Sequence, residues 1–229
     1  DRRKSLWSIS VVLLGFTFFT GTMWAGSLLG PAFTFPELMM IIFIGNLLLG
    51  SYVSVLGYIA FHTGLTTTLL ARYSFGDYGS RIVDLIFLFT QLGWAGWGIA
   101  MTSIVFGSLL GLQSTFWFVT FCIIFGIGFS VTAYIGYKGL EILSTIAVPA
   151  MTILIFVSIY LATRDAGGFS ELLKIQPTAT MSWGVAITIV FGTYVSGGTQ
   201  STNWSRWSKT SKVAVIASLL AFFIGNGLM

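Results

Sequence analysis

The chain has 229 residues, 55% of them hydrophobic and 8% charged, with a mean hydropathy of +0.91. Its eleven basic and seven acidic side chains are too few to solvate a globular body of this size, since soluble domains carry about 25% charged residues. An ordinary soluble enzyme is excluded, and so is a disordered chain, which would be rich in charge and poor in apolar residues. The 16% aromatic content and 27 glycines suit an all-α polytopic membrane protein, in which glycine lets helix backbones approach closely.

A helix crosses the hydrocarbon core in about 20 apolar residues. Runs that meet this test occupy 7–30, 37–61, 82–110, 115–136, 141–163, 181–202 and 212–229, predicting seven spans. The first run is too long and too interrupted by glycine for a signal peptide. The segment 62–80 is polar with apolar residues at helical spacing, and is predicted as an interfacial helix or loop. Pro149 is expected to bend the fifth span, and Gly107-x-x-x-Gly111 to allow tight packing in the third. The single cysteine, Cys122, lies in an apolar run, so no internal disulfide forms. The chain opens at Asp1 and is still apolar at Met229, which leads us to expect part of a longer protein.

The net charge of +4 reads as topology, because the basic residues fall between the spans. With the N-terminus inside, cytoplasmic segments hold Arg2, Arg3, Lys4, Arg72, Arg81, Lys138, Arg206, Lys209 and Lys212. The opposite side keeps Arg164 and Lys174, each beside an acid. The positive-inside rule thus places the N-terminus in the cytoplasm.

Two spans carry stretches poor in helix formers: Thr20-Gly-Thr-Met-Trp-Ala-Gly-Ser27 in the first and Gly192-Thr-Tyr-Val-Ser-Gly-Gly-Thr199 in the sixth. Unpaired backbone groups are costly in lipid, so broken helices survive where they are buried in protein or line an aqueous cavity. Transporters use such breaks to hold ions and polar substrates near the midplane. The two stretches lie five helices apart, in spans that cross in opposite directions, as an inverted repeat of five helices requires. Residues 1–163 then form the first repeat (helices one to five, with the interfacial segment 62–80). Residues 164–180 form an extracellular or periplasmic connection, and 181–229 begin the second repeat with helices six and seven. A simpler reading is that these glycines only permit close packing.

In the third span Gln91 and Trp94 share one helical face, with Gly93, Gly96 and Gly98 around them. A primary amide donates and accepts at once, and an indole offers a flat apolar wall, so the pair suits a small planar heterocycle. Interhelical hydrogen bonding by Gln91 and core filling by Trp94 are the competing readings. Asn46 and Asn226, isolated amides in the second and seventh spans, read as packing hydrogen bonds. No Asp or Glu falls at mid-membrane, which favours sodium, held by carbonyls and hydroxyls, over a proton relay. No hydrolytic triad, zinc constellation or phosphate loop is present, and no enzyme, resident cofactor, nucleic-acid partner or obligate protein partner is expected.

Six short motifs carry a family resemblance. They are Gly15-Phe-Thr-Phe-Phe-Thr-Gly-Thr-Met-Trp24, Gly45-Asn-Leu-Leu-Leu-Gly50, and Thr63-Gly-Leu-Thr-Thr-Thr-Leu-Leu-Ala-Arg72 followed by Ser74-Phe-Gly76. The rest are Thr90-Gln-Leu-Gly-Trp94, Ser196-Gly-Gly-Thr199 and Phe222-Phe-Ile-Gly-Asn226. In this order the chain resembles the cytosine permeases of the nucleobase–cation symporter family (purine/cytosine permeases). The resemblance implies a leucine-transporter-like five-plus-five inverted repeat, of which the chain covers about the first seven of twelve helices. It implies an inner (plasma) membrane symporter that imports a planar nucleobase, cytosine foremost, with sodium as the coupling ion.

The same resemblance implies site residues. Trp94 and Tyr194 would sandwich the base, Gln91 would read its edge, and Thr193 and Ser196 would add hydrogen bonds. Gly15 and Phe18 would lend backbone carbonyls to sodium. The pair Thr193-Tyr194 stands where the cytosine permeases carry Ser-Phe, which keeps a purine, another pyrimidine, a hydantoin- or allantoin-like ring or another heterocycle as the alternative cargo. A proton-coupled carrier is compatible with the same spans, and so is a nucleobase sensor that binds without transporting.

Overall fold

The computed structural model describes residues 3–229, so Arg2 lies outside the described residues. The chain is helical almost throughout and packs as two compact units. One holds the segment up to Thr67 together with Ser144–Met229, and the other holds Thr68–Leu143.

In the first unit, α1 (Leu6–Thr17) and α2 (Thr20–Leu29), extended by a 3-10 turn over Gly30–Ala32, form a span bent by 56°. The break falls at Phe18 and Phe19, whose ψ angles of 85° and 134° leave the helical region. It therefore lies just before the stretch Thr20–Ser27, which the sequence marked as the weak point but which is helical. Two hydroxyls in that stretch find local or buried acceptors: Ser27 Oγ donates to the Trp24 carbonyl at 2.6 Å, and Thr22 Oγ1 to Asn226 Oδ1 at 3.2 Å. Thr22 thus leaves the helix backbone untouched, whereas Ser27 shares the Trp24 carbonyl near the end of α2.

Helix α3 (Phe35–Thr63) has a clear local cause at each end. Glu37 accepts from both the backbone and the side chain of Thr34, which closes a capping box, and Gly64 ends the helix at φ 70°. Along α3, glycines mark the helix contacts. A Cβ at Gly45 would stand 2.6 Å from Val190 Cγ1, one at Gly50 2.8 Å from Phe223 Cβ, and one at Gly57 2.9 Å from Ser218 Oγ. Leu29, Phe33, Ile41, Ala186 and Val190 close one core cluster of this unit.

In the second unit, α4 (Thr67–Leu109) is interrupted at Gly76, where φ 67° and ψ −177° divide its opening turns from the long apolar stretch. Phe106 packs edge-on against Phe121 and Phe125 of α5 (Thr115–Ile135), with centroids 5.1 and 5.3 Å away. Gly111 is not a helix-packing glycine as predicted. It sits at φ 69° in the turn after α4, and the next amide, Leu112, donates back to the Gly107 carbonyl at 2.8 Å. Helix α6 (Tyr137–Asp165) starts in the second unit, belongs to the first from Ser144 onward, and stays helical through Pro149.

The remaining elements belong to the first unit. They are α7 (Phe169–Leu172), α8 (Trp183–Gly192), α9 (Val195–Gln200), α10 (Thr202–Ser205), α11 (Ser211–Leu219), a π-helical turn over Leu220–Gly225, and α12 (Asn226–Leu228). Among the described residues five helices are long and apolar enough to cross a membrane, or six when the bent α1–α2 pair counts as one. The sixth of the seven predicted spans falls short of that length because it is divided into α8, α9 and α10.

Candidate functional site

The first and sixth spans run antiparallel. At one end, Lys4 N–H donates to the Trp207 carbonyl at 2.7 Å and Lys209 N–H to the Lys4 carbonyl at 3.0 Å, so the start of one span lies beside the end of the other. At the opposite end, the Pro31 carbonyl accepts from the amides of Thr178 and Ala179 at 2.8 and 3.0 Å.

Their breaks meet in the interior. Helix α8 ends at Gly192, and Tyr194, at φ −132° and ψ 14°, precedes α9. The Tyr194 hydroxyl donates to the carbonyl of Phe16, in the last turn of α1. A terminal carbonyl there has lost its partner four residues on, and the phenol replaces it. The ring is only 7% exposed and meets Phe16 and Phe222 edge-on, at centroid distances of 5.5 and 6.0 Å.

Thr193 Oγ1 donates to the Val190 carbonyl at 2.7 Å and accepts from Asn226 Nδ2 at 3.1 Å. Asn226 Nδ2 also donates to Asn46 Oδ1 at 2.7 Å, its Oδ1 accepts from Thr22, and Asn46 Nδ2 donates to the Ile42 carbonyl at 2.9 Å. These four side chains line a cavity of about 80 Å³ between α2, α3, α8 and α12. Asn46 and Asn226 make packing hydrogen bonds as expected, yet they are not isolated, because they bond to each other and to Thr193. The signal available in the sequence was two amides in apolar spans, each of which needs a partner.

Ser196 is half-buried in the first turn of α9. Phe18 is buried at the α1–α2 break against Val148 and Ile155, and its N–H closes α1 on the Leu14 carbonyl at 2.8 Å. Gly15 has a packing reason of its own, since a Cβ there would collide with Ser144 Oγ. In the second unit, Trp94 is 41% exposed and meets Trp97 edge-on at 6.2 Å, while Gln91 is half-buried one turn away on α4. A Cβ at Gly93 or Gly96 would meet no atom within 4 Å, so those glycines border open space. The structure thus brings Thr193 and Tyr194 to the α1–α2 break, and keeps Gln91 and Trp94 together on one face of α4. Among the described residues no three His, Cys, Asp or Glu side chains converge.

A family model described as permease for cytosine/purines, uracil, thiamine, allantoin matches residues 1–229. The chain belongs to that family. It is 40% identical over 227 residues to the cytosine permease of Escherichia coli strain K12 and to that of Escherichia coli O6:H1. Each alignment covers 99% of this chain and 53% of the relative, so the chain spans about half the length of the curated relatives it matches. A solved structure of MHP1, a nucleobase-cation-symport-1 family transporter in a closed conformation with bromovinylhydantoin bound, matches 99% of this chain and 53% of that one. The TM-score is 0.87 at 17% identity, which establishes the shared fold. The chain is a multi-pass membrane protein of the permease class with a leucine-transporter-like, all-α fold.

Proposed function

We propose that the full-length protein is a secondary active transporter that imports a planar nucleobase, cytosine foremost, together with sodium by alternating access. It sits in the inner (plasma) membrane with its N-terminus cytoplasmic. The observation that carries this reading is the meeting of two helix breaks in antiparallel spans, through Tyr194 and Phe16. Broken helices put backbone dipoles at mid-membrane without a helical partner, and a transporter uses these to replace the hydration of a polar cargo.

In this reading Trp94 and Tyr194 stack on the two faces of the base and Gln91 pairs with its edge. Thr193 and Ser196 supply further hydrogen bonds, and the carbonyls of Gly15 and Phe18 hold part of the sodium shell. Sodium is a hard cation and takes oxygen ligands, which carbonyls at a helix end provide. The protein is a carrier and not an enzyme, with the base, the ion and the bilayer as its partners. It needs no resident cofactor, nucleic acid or obligate protein partner.

A second cargo class is favoured by one residue pair. The phenol and methyl of Thr193-Tyr194 alter the polarity and volume of the stacking site, and the family description includes allantoin. Uptake of radiolabelled cytosine by the full-length protein in proteoliposomes, with and without an inward sodium gradient, tests the reading. Accumulation that requires sodium is the expected result. Transport competed by purines or hydantoins but not by cytosine moves the specificity to those rings. Binding without accumulation identifies a sensor, and accumulation driven equally by a proton gradient overturns the sodium assignment.

A further inference from the structure

We propose that Tyr194 is a positioning residue that couples the base to the cation, through its hydrogen bond to the Phe16 carbonyl. The inference rests on the proposed function, in which Gly15 and Phe18 present carbonyls to sodium and Thr193-Tyr194 meets the base.

Helix α1 stops at Thr17, so the carbonyls of its last turn lose their helical partners. The Leu14 carbonyl is taken by Phe18 N–H at 2.8 Å and by Thr17 Oγ1 at 3.1 Å. The Phe16 carbonyl is taken from outside the helix, by a phenol 178 residues further along the chain. Phe16 stands between the two residues assigned to the ion. The planar Phe16–Thr17 peptide unit lies in the chain between the Gly15 and Phe18 carbonyls, so anchoring it on Tyr194 restrains the backbone dihedrals that set how those two carbonyls are aimed. The aim of the cation shell is therefore tied to the place of one aromatic ring.

That ring is fixed by packing. Phe16 and Phe222 meet its edges, and Gly197 leaves the space it occupies, since a Cβ there would lie 2.9 Å from both Tyr194 Cδ1 and Phe16 Cε1. A second connection runs in parallel: Thr193 reaches Thr22 of α2 through Asn226. The two residues at the sixth-span break thus hold both halves of the first span. A base that stacks on Tyr194 adds a contact that holds the ring where packing has placed it, the ring holds the Phe16 peptide, and the ion meets carbonyls already aimed. By linkage the ion improves base binding by the same factor.

The test is equilibrium binding of radiolabelled cytosine to the purified full-length protein across a sodium series, for wild type and Tyr194→Phe, which keeps the ring and removes the hydroxyl. The ratio of the cytosine Kd without sodium to the Kd at saturating sodium, which is the coupling factor, should fall about tenfold in the variant. Gly197→Ala, which crowds the ring against Phe16 and leaves the hydroxyl in place, should shift the sodium dependence in the same direction. It is also the variant to read if Tyr194→Phe fails to insert. A ratio that stays at the wild-type value in both variants, whatever happens to cytosine affinity itself, overturns the coupling role. A wild-type protein whose cytosine binding ignores sodium overturns the symport reading itself, and the coupling with it.

Discussion

Asn226 and Asn46, 180 residues apart in the chain, share a buried hydrogen bond of 2.7 Å that joins the seventh predicted span to the second. Asn226 spends its second N–H on Thr193 and its carbonyl on Thr22, so one amide ties four helices. In an apolar interior such a network is stable only when each member is satisfied, because an orphaned polar atom keeps its full desolvation cost. Asn226→Ala is expected to destabilise the full-length protein by about 1–3 kcal/mol. In a double-mutant cycle with Asn46→Ala, thermal unfolding in detergent should show a coupling of about 0.5 kcal/mol or more. Strictly additive losses would mean that the contact carries no energy of its own.

Gly45 and Val190 make the α3–α8 contact specific. A methyl group at Gly45 would come within 2.7 Å of both Val190 Cβ and Cγ1, so Gly45→Ala should cost about 1–3 kcal/mol through overpacking. Val190→Ala removes the obstructing methyls. The double variant should therefore recover part of the Tm lost by Gly45→Ala, and a further drop would show that the seam is not limited by this contact.

Trp94 and Gln91 share one face of α4 beside glycines that leave space around them. Stacking of a base on an aromatic ring is worth about 1–3 kcal/mol by alanine substitution, which corresponds to roughly 5- to 150-fold in affinity. Trp94→Ala and Gln91→Ala are expected to abolish uptake in the full-length protein while its amount in the membrane, read by immunoblot, stays normal. Normal uptake by either variant removes that residue from the site.

The ends of the spans carry a topological prediction. Arg164 pairs with Asp165 at 2.9 Å and Lys174 with Glu171 at 2.6 Å, so the two cations assigned to the outer side are each neutralised locally. Lys138 is exposed, and the positive-inside rule assigns it to the cytoplasm. In a Cys122→Ser background, Lys174→Cys should react with a membrane-impermeant maleimide on intact spheroplasts, and Lys138→Cys only after lysis. The reverse pattern would invert the orientation.

Helix spans were legible in the sequence because crossing a bilayer is a local requirement, met by the length and apolarity of each run. The same reasoning located a break in the first and in the sixth span, since Gly, Thr and Ser contribute little helix propensity. It marked Thr20–Ser27, whereas the chain leaves the helix at Phe18 and Phe19. Hydroxyl and glycine content says that a segment can break, and the packing around it decides where. At Phe18 that packing is Val148 and Ile155.

Tertiary structure alone decided the partners. Nothing local in Phe16 announces that a phenol 178 residues away will take its carbonyl, and neither asparagine names the other. Such pairings depend on which spans lie antiparallel and at what depth two side chains meet, and these are properties of the packed helices, not of any window of sequence. The chemistry of the residues was written in the chain. Their company was set by the geometry of helices whose polar groups must find partners without water.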